Sequence, residues 1–545
     1  MNQKNVKFLV LLLIVCISCS REKGSRELVF ESAHQNGVLA NEGFRRCNNY
    51  MISWLDHADS LTGLIPRNLY ESDHIWNAKD AAADNYPFMV LTSSITSPGI
   101  FEGTMHDMLA VESSVTSRLG KMPDTYSFIK QGFEEEIIDT ASVIFGASEY
   151  IKDGLLPLTE WLGFSPWYER LVEILDDIWA YAPVSTEFGR IPSRNVEVNG
   201  EMLQALSRIY WMSGDEKYLD WAVRLGDLYL LGDQHPTRDL ESLRLRDHGC
   251  EIVSGLSELY CMVSFARPEK KEAYQEPLYE MLDRILEVGI NEHGLFYNVI
   301  NPLSGEIINN GIADTWGYTY NGYYTVYMID GVDKYREAVL HALENIDHYK
   351  AFDWEGGSAD GYADAVESGL NLFNREQVDI SRDWIDSEIA IMWSMQDSSH
   401  REKALKWKDS GIIEGWHGDG NFARTSIMYC LWKTQGLTLQ PWREDVIFGA
   451  SLQDDKLYIS LQAEDDWDGV IKFDFSRSKV NMNLPLDYPR INQFPEWFVV
   501  SDDTEYRLEF IGDNRAEVLE GKILKSGFPI KIEKGRAYHL LVQAL

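Results

Sequence analysis

From about residue 38 to residue 435 the apolar positions recur at the spacing of one helical face, and the helices they predict are of two alternating kinds. One kind is amphipathic, as in KYLDWAVRLGDLYLL (217–231) and KYREAVLHALENI (334–346). The other is rich in small residues and apolar nearly all round, with polar residues at its start, as in NGEMLQALSRIYW (199–211) and HGCEIVSGLSELY (248–260). A helix apolar on every side has to be enclosed by other helices. Alternation pairs 38–56 with 83–97, 165–181 with 197–212, 215–230 with 247–264, 270–289 with 314–328, 332–347 with 359–372, and 383–396 with 422–434. Six enclosed helices ringed by six amphipathic ones predict a mainly α protein: an (α/α)6 barrel over residues 35–440, with 98–164 as an insertion over one rim.

After Pro441 the period changes from that of a helix to two. VIFGASLQDDKLYISLQA (446–463) and VIKFDFSRSK (470–479) alternate strictly, with Asp454 and Asp455 as turn residues, and YRLEFIGD, AEVLEGKIL, FPIKIEKG and AYHLLVQAL continue the pattern to the end. Residues 441–545 are therefore expected to form an antiparallel, β-sandwich-like module.

Composition narrows the class of partner. The 545 residues carry 50 Lys and Arg against 86 Asp and Glu, a net charge of −36, which argues against nucleic acid because phosphate binding needs clustered cations. At the N-terminus, Lys4 and Lys7 precede an apolar run from Phe8 to Ile17, too short to span a membrane stably, that ends in Cys16-Ile17-Ser18-Cys19. This resembles a bacterial lipobox. The resemblance implies a signal peptide over 1–18, a lipid on Cys19 and a protein held on the cell envelope by that anchor alone, and the polar run SREKGSRE marks a short tether, taken as 19–34. Of the remaining cysteines, Cys250 and Cys261 fall on one helix roughly 16 Å apart, too far to pair. With Cys47 and Cys430 they show no metal-ligand spacing, so buried thiols are expected, and no metal or cofactor.

In a helical barrel the starts of the enclosed helices converge on one mouth. The residues there are Asp80 and Asp84; Glu197, Asn199 and Glu201; Arg246, Asp247, His248 and Glu251; Asp314, Trp316, Tyr318 and Tyr320; Asp360, Tyr362 and Asp364; and Trp416, His417, Asp419, Asn421 and Arg424. Carboxylates, aromatic rings and cations around one opening suit a sugar: rings stack on pyranose faces, carboxylates move protons, and cations hold an acidic substituent. Hydrolysis of a glycosidic bond needs one protonated and one ionised carboxyl group. Asp247 and Asp314, on adjacent enclosed helices, are the first candidates, with Asp84 and Glu251 behind them. Arg190 and Arg194 in STEFGRIPSR, with Arg246, His248 and Arg424, are candidate holders of a substrate carboxylate, Trp316 and Tyr318 candidate platforms, and Trp416 and His417 further candidate substrate contacts.

The layout, together with W-x3-D-x3-DNYPF at the first enclosed helix and RDHGCE at the third, resembles the six-hairpin glycosidases, and among them the uronate-acting ones. These are the unsaturated glucuronyl hydrolases of glycoside hydrolase families 88 and 105 and the β-glucuronidases of family 154. The last resemblance implies an exo-acting hydrolase of uronic-acid-containing oligo- or polysaccharides. Glu251 stands where families 88 and 105 carry an Asn one turn after an Asp, which separates this chain from their hydration chemistry. Three other readings remain: an unsaturated glucuronyl hydrolase, a polysaccharide lyase, which would use Tyr or His to remove a proton beside a uronate, and a non-catalytic glycan-binding lipoprotein.

Overall fold

The computed structural model describes residues 3–397, 410–513 and 515–545, with side chains from residue 26 onward. The signal peptide and the Cys19 anchor lie outside the described side chains. The chain forms two compact units: Arg46–Met428 with Ser476–Pro495, and Met1–Arg45 with Tyr429–Phe475 and Glu496–Leu545.

The first unit is an α/α barrel. Its enclosed helices are Ala78–Asn85 running into Tyr86–Thr96, Val196–Ser213, Glu251–Ala266, Trp316–Asp330, Ala359–Arg375 and the first turns of Gly418–Thr434. Val196–Ser213, Glu251–Ala266, Trp316–Asp330 and Ala359–Arg375 pack each on the next. Thr425 Oγ1 donates to the Ala363 carbonyl at 3.0 Å, and the start of the last helix abuts the first, which closes the ring. Small residues make this closeness possible. A Cβ at Gly200 would stand 2.5 Å from the Glu251 carbonyl carbon, and one at Gly420 would stand 1.9 Å from the Asp84 oxygen. Amphipathic helices such as Pro166–Ala180, Pro268–Val288 and Asp379–Ser394 lie outside, burying their apolar stripes.

Residues 98–164, read from the sequence as a rim insertion, are instead a further pair of the same kind. Pro98–Ile100, Phe101–Met105 and His106–Thr116 form its outer member. Thr140–Glu149, Tyr150–Leu155 and Leu156–Leu162 form an inner one, buried almost throughout. Among the described residues the barrel thus has seven helical pairs rather than six. Two features hid this pair. Phe101–Met105 and Tyr150–Leu155 are π-wound, which breaks the apolar period, and the inner member carries Glu149, Lys152 and Asp153 in its middle.

The second unit holds the antiparallel module. A five-stranded sheet runs Val446–Gln453, Lys456–Ala463, Tyr538–Ala544, Glu505–Phe510, Arg515–Glu520, and a three-stranded sheet runs Thr438–Gln440, Trp467–Lys472, Phe528–Ile532. Asp454 and Asp455 both take positive φ, 50° and 57°, in a two-residue hairpin between the paired Gln453 and Lys456. The mainly α barrel with a C-terminal antiparallel module expected from the pattern is the fold observed.

Two boundaries differ from the sequence reading. Residues 19–34 are not an extended tether but part of the helix Gln3–Leu55, because apolar Phe30 and Ala33 continue its buried face. Phe30 stacks on His539 at 4.5 Å between ring centroids. Ser476–Pro495, within the span assigned to the module, belongs to the barrel unit. There Arg490 donates to Glu160 at 2.7 Å, Arg208 pairs with Glu258 at 2.7 Å, and Tyr488 donates to Glu258 at 2.8 Å, all of them buried. Cys47, Cys250, Cys261 and Cys430 are buried thiols. Among the described residues no helix is long and apolar enough to cross a membrane.

Candidate active site

The starts of the enclosed helices surround one cavity of about 270 Å³ in the barrel unit. Nine carboxylates line it: Asp80, Asp84, Glu149, Asp153, Asp247, Glu251, Glu355, Asp360 and Asp364. Lys79, Lys152, Arg424, His248 and His417 are the basic groups, and Phe145, Thr315, Tyr318, Asn421 and Asn492 complete the wall. A carboxylate at a helix start is usually a cap. Here the caps are other residues. Asn77 accepts from the N–H groups of Asp80 and Ala81, Asn195 from that of Glu197, and Ser358 from that of Gly361. The acids are left to face inward. Asp419 is the exception, its carboxylate accepting from the N–H groups of Ile413, Glu414 and Gly415 and from Trp54 Nε1.

Two imidazoles organise the carboxylates. His417 lies between Asp80 and Asp360, with Nδ1 3.4 Å from one and Nε2 3.3 Å from the other. Burial pushes Asp360 up, but His417, Asn421 and Arg424 outweigh it and hold it at about 2. Asp80 is likewise pushed up by burial and pulled further down by His417, Asn77 and Arg67, so it too stays ionised. Asp84 sits beside Asp80 on the π-wound turn Ala78–Asn85, where residues four apart stack on one face. Burial raises Asp84 well above the usual carboxyl range. His417 opposes this, and the charges of Asp153, Asp360 and Glu149 add to it. His248 occupies the other side, with Nδ1 3.7 Å from Glu201 and 3.8 Å from Asp153 and Nε2 3.4 Å from Asp247.

The residues singled out in the sequence divide. Asp84, Asp247, Glu251, His248, Tyr318, His417 and Arg424 reach the cavity. Glu251 is engaged there by Lys152 and Gln204, and Arg424 by Asp364 at 2.5 Å, Glu367 at 2.8 Å and Asn421 at 3.0 Å. Tyr318 donates its hydroxyl toward Glu367 and Asp364, so it is a buried polar link rather than a platform. Asp314 lies behind the wall, 4% exposed, where burial raises it to about 6 against the pull of Arg246. Arg246 itself pairs with Glu355 at 2.7 Å. Trp316 is a core residue, 0% exposed and edge-on to Trp384, and Trp416 lies under the Arg67 guanidinium. Arg190 and Arg194 are exposed and outside the cavity lining; Arg190 donates to the Ala182 carbonyl.

Glu149, Lys152 and Asp153 were missed because they lie in the span read as an insertion, and Glu355 because it precedes its helix in a loop. The signal for the first was present. Asp80/Asp84, Glu197/Glu201, Asp247/Glu251 and Asp360/Asp364 are each acidic pairs four residues apart at the start of an enclosed helix, and Glu149/Asp153 repeats that spacing. Asp247 and Glu355 add positive φ, 51° and 46°, a strained backbone of the kind that collects at working sites.

No protein-family profile matches the chain, and no curated protein does. Solved structures resemble parts of the chain. The α-1,6-mannanase of family 76 from Salegentibacter sp. HEL1_6, an inactive variant in complex with α-1,6-mannotetrose, is 10% identical, with a TM-score of 0.40 over 71% of this chain and 99% of that one. A family 76 glycoside hydrolase from a bovine Bacteroides thetaiotaomicron strain is 12% identical, with a TM-score of 0.41 over 60% of this chain and 77% of that one. The unsaturated glucuronyl hydrolase of Bacillus sp. GL1 is 12% identical, with a TM-score of 0.36 over 54% of this chain and 86% of that one. Likenesses of this degree assign no activity.

Proposed function

We propose that the chain is a glycoside hydrolase whose general acid is Asp84 and whose ionised partner is Asp360. What carries this reading is that two carboxyl groups lining one cavity are pushed in opposite directions by their surroundings, Asp84 up and Asp360 down, as glycosidic bond hydrolysis requires. Among the described residues Asp84 makes no side-chain hydrogen bond that would commit its proton elsewhere, so it can donate to a leaving oxygen in the cavity. Asp360 keeps 22% of its side chain exposed and is fixed by Asn421 at 2.6 Å, placed to activate water or meet the developing positive charge. Asp153 is also ionised but is nearly enclosed and engaged by Lys152 and Asn492. Asp247 with Asp314, the first pair suggested by the sequence, is less suited, since Asp314 does not line the cavity.

On the substrate, the charge of the wall favours a neutral sugar over the uronate implied by family resemblance. Arg424 and Lys152, which line the cavity, already meet carboxylates, and the ionised Asp80, Asp153 and Asp360 would repel a further one. A panel of nitrophenyl glycosides tests this. Release from neutral hexosides with little from the glucuronide is the expected outcome; selective turnover of the glucuronide would overturn the neutral reading, and an ultraviolet-absorbing unsaturated product would move the protein to the lyases. Anchoring through Cys19 is part of the proposal and rests on the sequence. Cys19→Ala should shift the protein from the membrane to the soluble fraction, and unchanged fractionation would refute it.

A further inference from the structure

Glu201 has an environment that hydrolysis does not explain. It stands on the enclosed helix Val196–Ser213, is 0% exposed, and neither carboxylate oxygen makes a hydrogen bond. A buried carboxylate without partners is costly, so something has to compensate it. Its neighbours are mostly acids. Asp153 is buried beside it with Oδ2 unbonded, its other oxygen taken by Lys152 and Asn492. Glu149 and Glu197 lie around the same imidazole, that of His248. The ammonium of Lys152 is engaged by Asp153 Oδ1 and Glu251, leaving Glu201 and Asp153 Oδ2 to the imidazole alone.

That imidazole is arranged as a ligand. Its Nδ1 faces Asp153 Oδ2 at 3.8 Å and Glu201 Oε1 at 3.7 Å, too long for hydrogen bonds. Its Nε2 lies 3.4 Å from Asp247, which Arg244 fixes in turn. A carboxylate behind the far nitrogen of a histidine is the arrangement that orients metal-binding imidazoles. Metal–ligand bonds of about 2.1 Å put donor atoms roughly 3.0–3.4 Å apart, so small side-chain rotations would bring these three atoms onto one ion. We propose that Asp153, Glu201 and His248 bind a divalent transition-metal ion, Zn²⁺ or Mn²⁺, at the cavity wall. One nitrogen and two carboxylate oxygens suit these ions; Ca²⁺ and Mg²⁺ prefer oxygen throughout. The site does not depend on the hydrolase reading. Asp153 and His248 also line the cavity, so the ion would face a bound substrate with its open positions.

The test uses full-length protein freed of metal by chelator and titrated calorimetrically with Zn²⁺, Mn²⁺ and Ca²⁺, with metal content measured on the purified chain. One equivalent of Zn²⁺ or Mn²⁺ per chain should bind and raise Tm. Glu201→Gln and His248→Ala should each weaken binding at least about 100-fold, more than the loss of an outer partner costs. His248 is part-exposed, so its variant should fold even if the Glu201 variant does not. A chelated wild type that takes up no ion at millimolar concentration would show that protons, not a metal, neutralise the cluster. Binding of Ca²⁺ alone would overturn the ion class. Binding that survives both substitutions and disappears in His417→Ala would place the ion at the Asp80, Asp84 and His417 group instead and overturn the assignment.

Discussion

Asp84→Asn should lower kcat at least about a hundredfold with KM little changed, the usual scale for losing a general acid when the shape of the side chain is kept. The pH profile gives a sharper check than the rate. Burial among Asp153, Asp360 and Glu149 keeps the Asp84 proton on well above the ordinary carboxyl range. An acid works while protonated, so activity in the wild type should fall as pH climbs through that raised value. Asp360, held at about 2, stays ionised throughout and contributes no limb near neutrality. The alkaline limb should be absent from whatever activity Asp84→Asn retains. An unchanged limb in the variant would assign it to another group, and full activity would move the acid elsewhere on the wall, to Glu355 or Glu149, which burial raises to about 7 and about 8.

Arg490→Met should destabilise the protein by about 3–5 kcal/mol, the scale for removing one partner of a buried ion pair. Arg490 and Glu160 are 0% and 2% exposed at the side chain and meet at 2.7 Å, with Asp487 2.9 Å from the same guanidinium. The lost attraction is only part of the cost; the larger part is Glu160 left charged and enclosed. Urea unfolding should therefore show the double variant Arg490→Met/Glu160→Gln recovering a substantial fraction of the loss, since it removes the stranded charge. A single variant as stable as the wild type would mean that the segment carrying Arg490 is not held by this pair. The same segment brings Asn492 to the cavity, where it donates to Asp153 at 2.9 Å, so the single variant should also impair activity.

Much of the barrel is legible in the chain because enclosure leaves a chemical trace. Helices such as Val196–Ser213 and Glu251–Ala266 have to be apolar or small on every side, whatever their order in the ring, and that requirement shows in a single sequence. The acids at their starts are legible for the same reason: in an otherwise apolar helix, Asp80, Asp84, Asp247 and Asp360 have no place but the mouth. The inner helix Thr140–Leu162 failed this reading because it carries its acids in its middle and is wound as a π-helix there. Trp316 misled in the opposite way, since an aromatic residue near a mouth and one in the core look alike in sequence; only the face it takes on its helix separates them.

The sequence alone therefore determined the class of fold, the change from helices to strands near residue 441 and the end of the barrel at which the acids gather, because each follows from local periodicity and from the cost of burying charge. The tertiary structure decided which acids face one another and which proton each keeps. Asp84 and Asp360 are pushed in opposite directions because burial and neighbouring acids outweigh His417 at Asp84, whereas His417, Asn421 and Arg424, from the far end of the barrel sequence, outweigh burial at Asp360. It also decided that Arg424 and Lys152 are internal counter-ions and that Glu201 is enclosed without a hydrogen-bond partner among the described residues. Those outcomes depend on distances of a few ångströms between residues more than 300 positions apart, such as Asp80 and His417, and electrostatic energies at that range are set by geometry and burial, which no local pattern encodes.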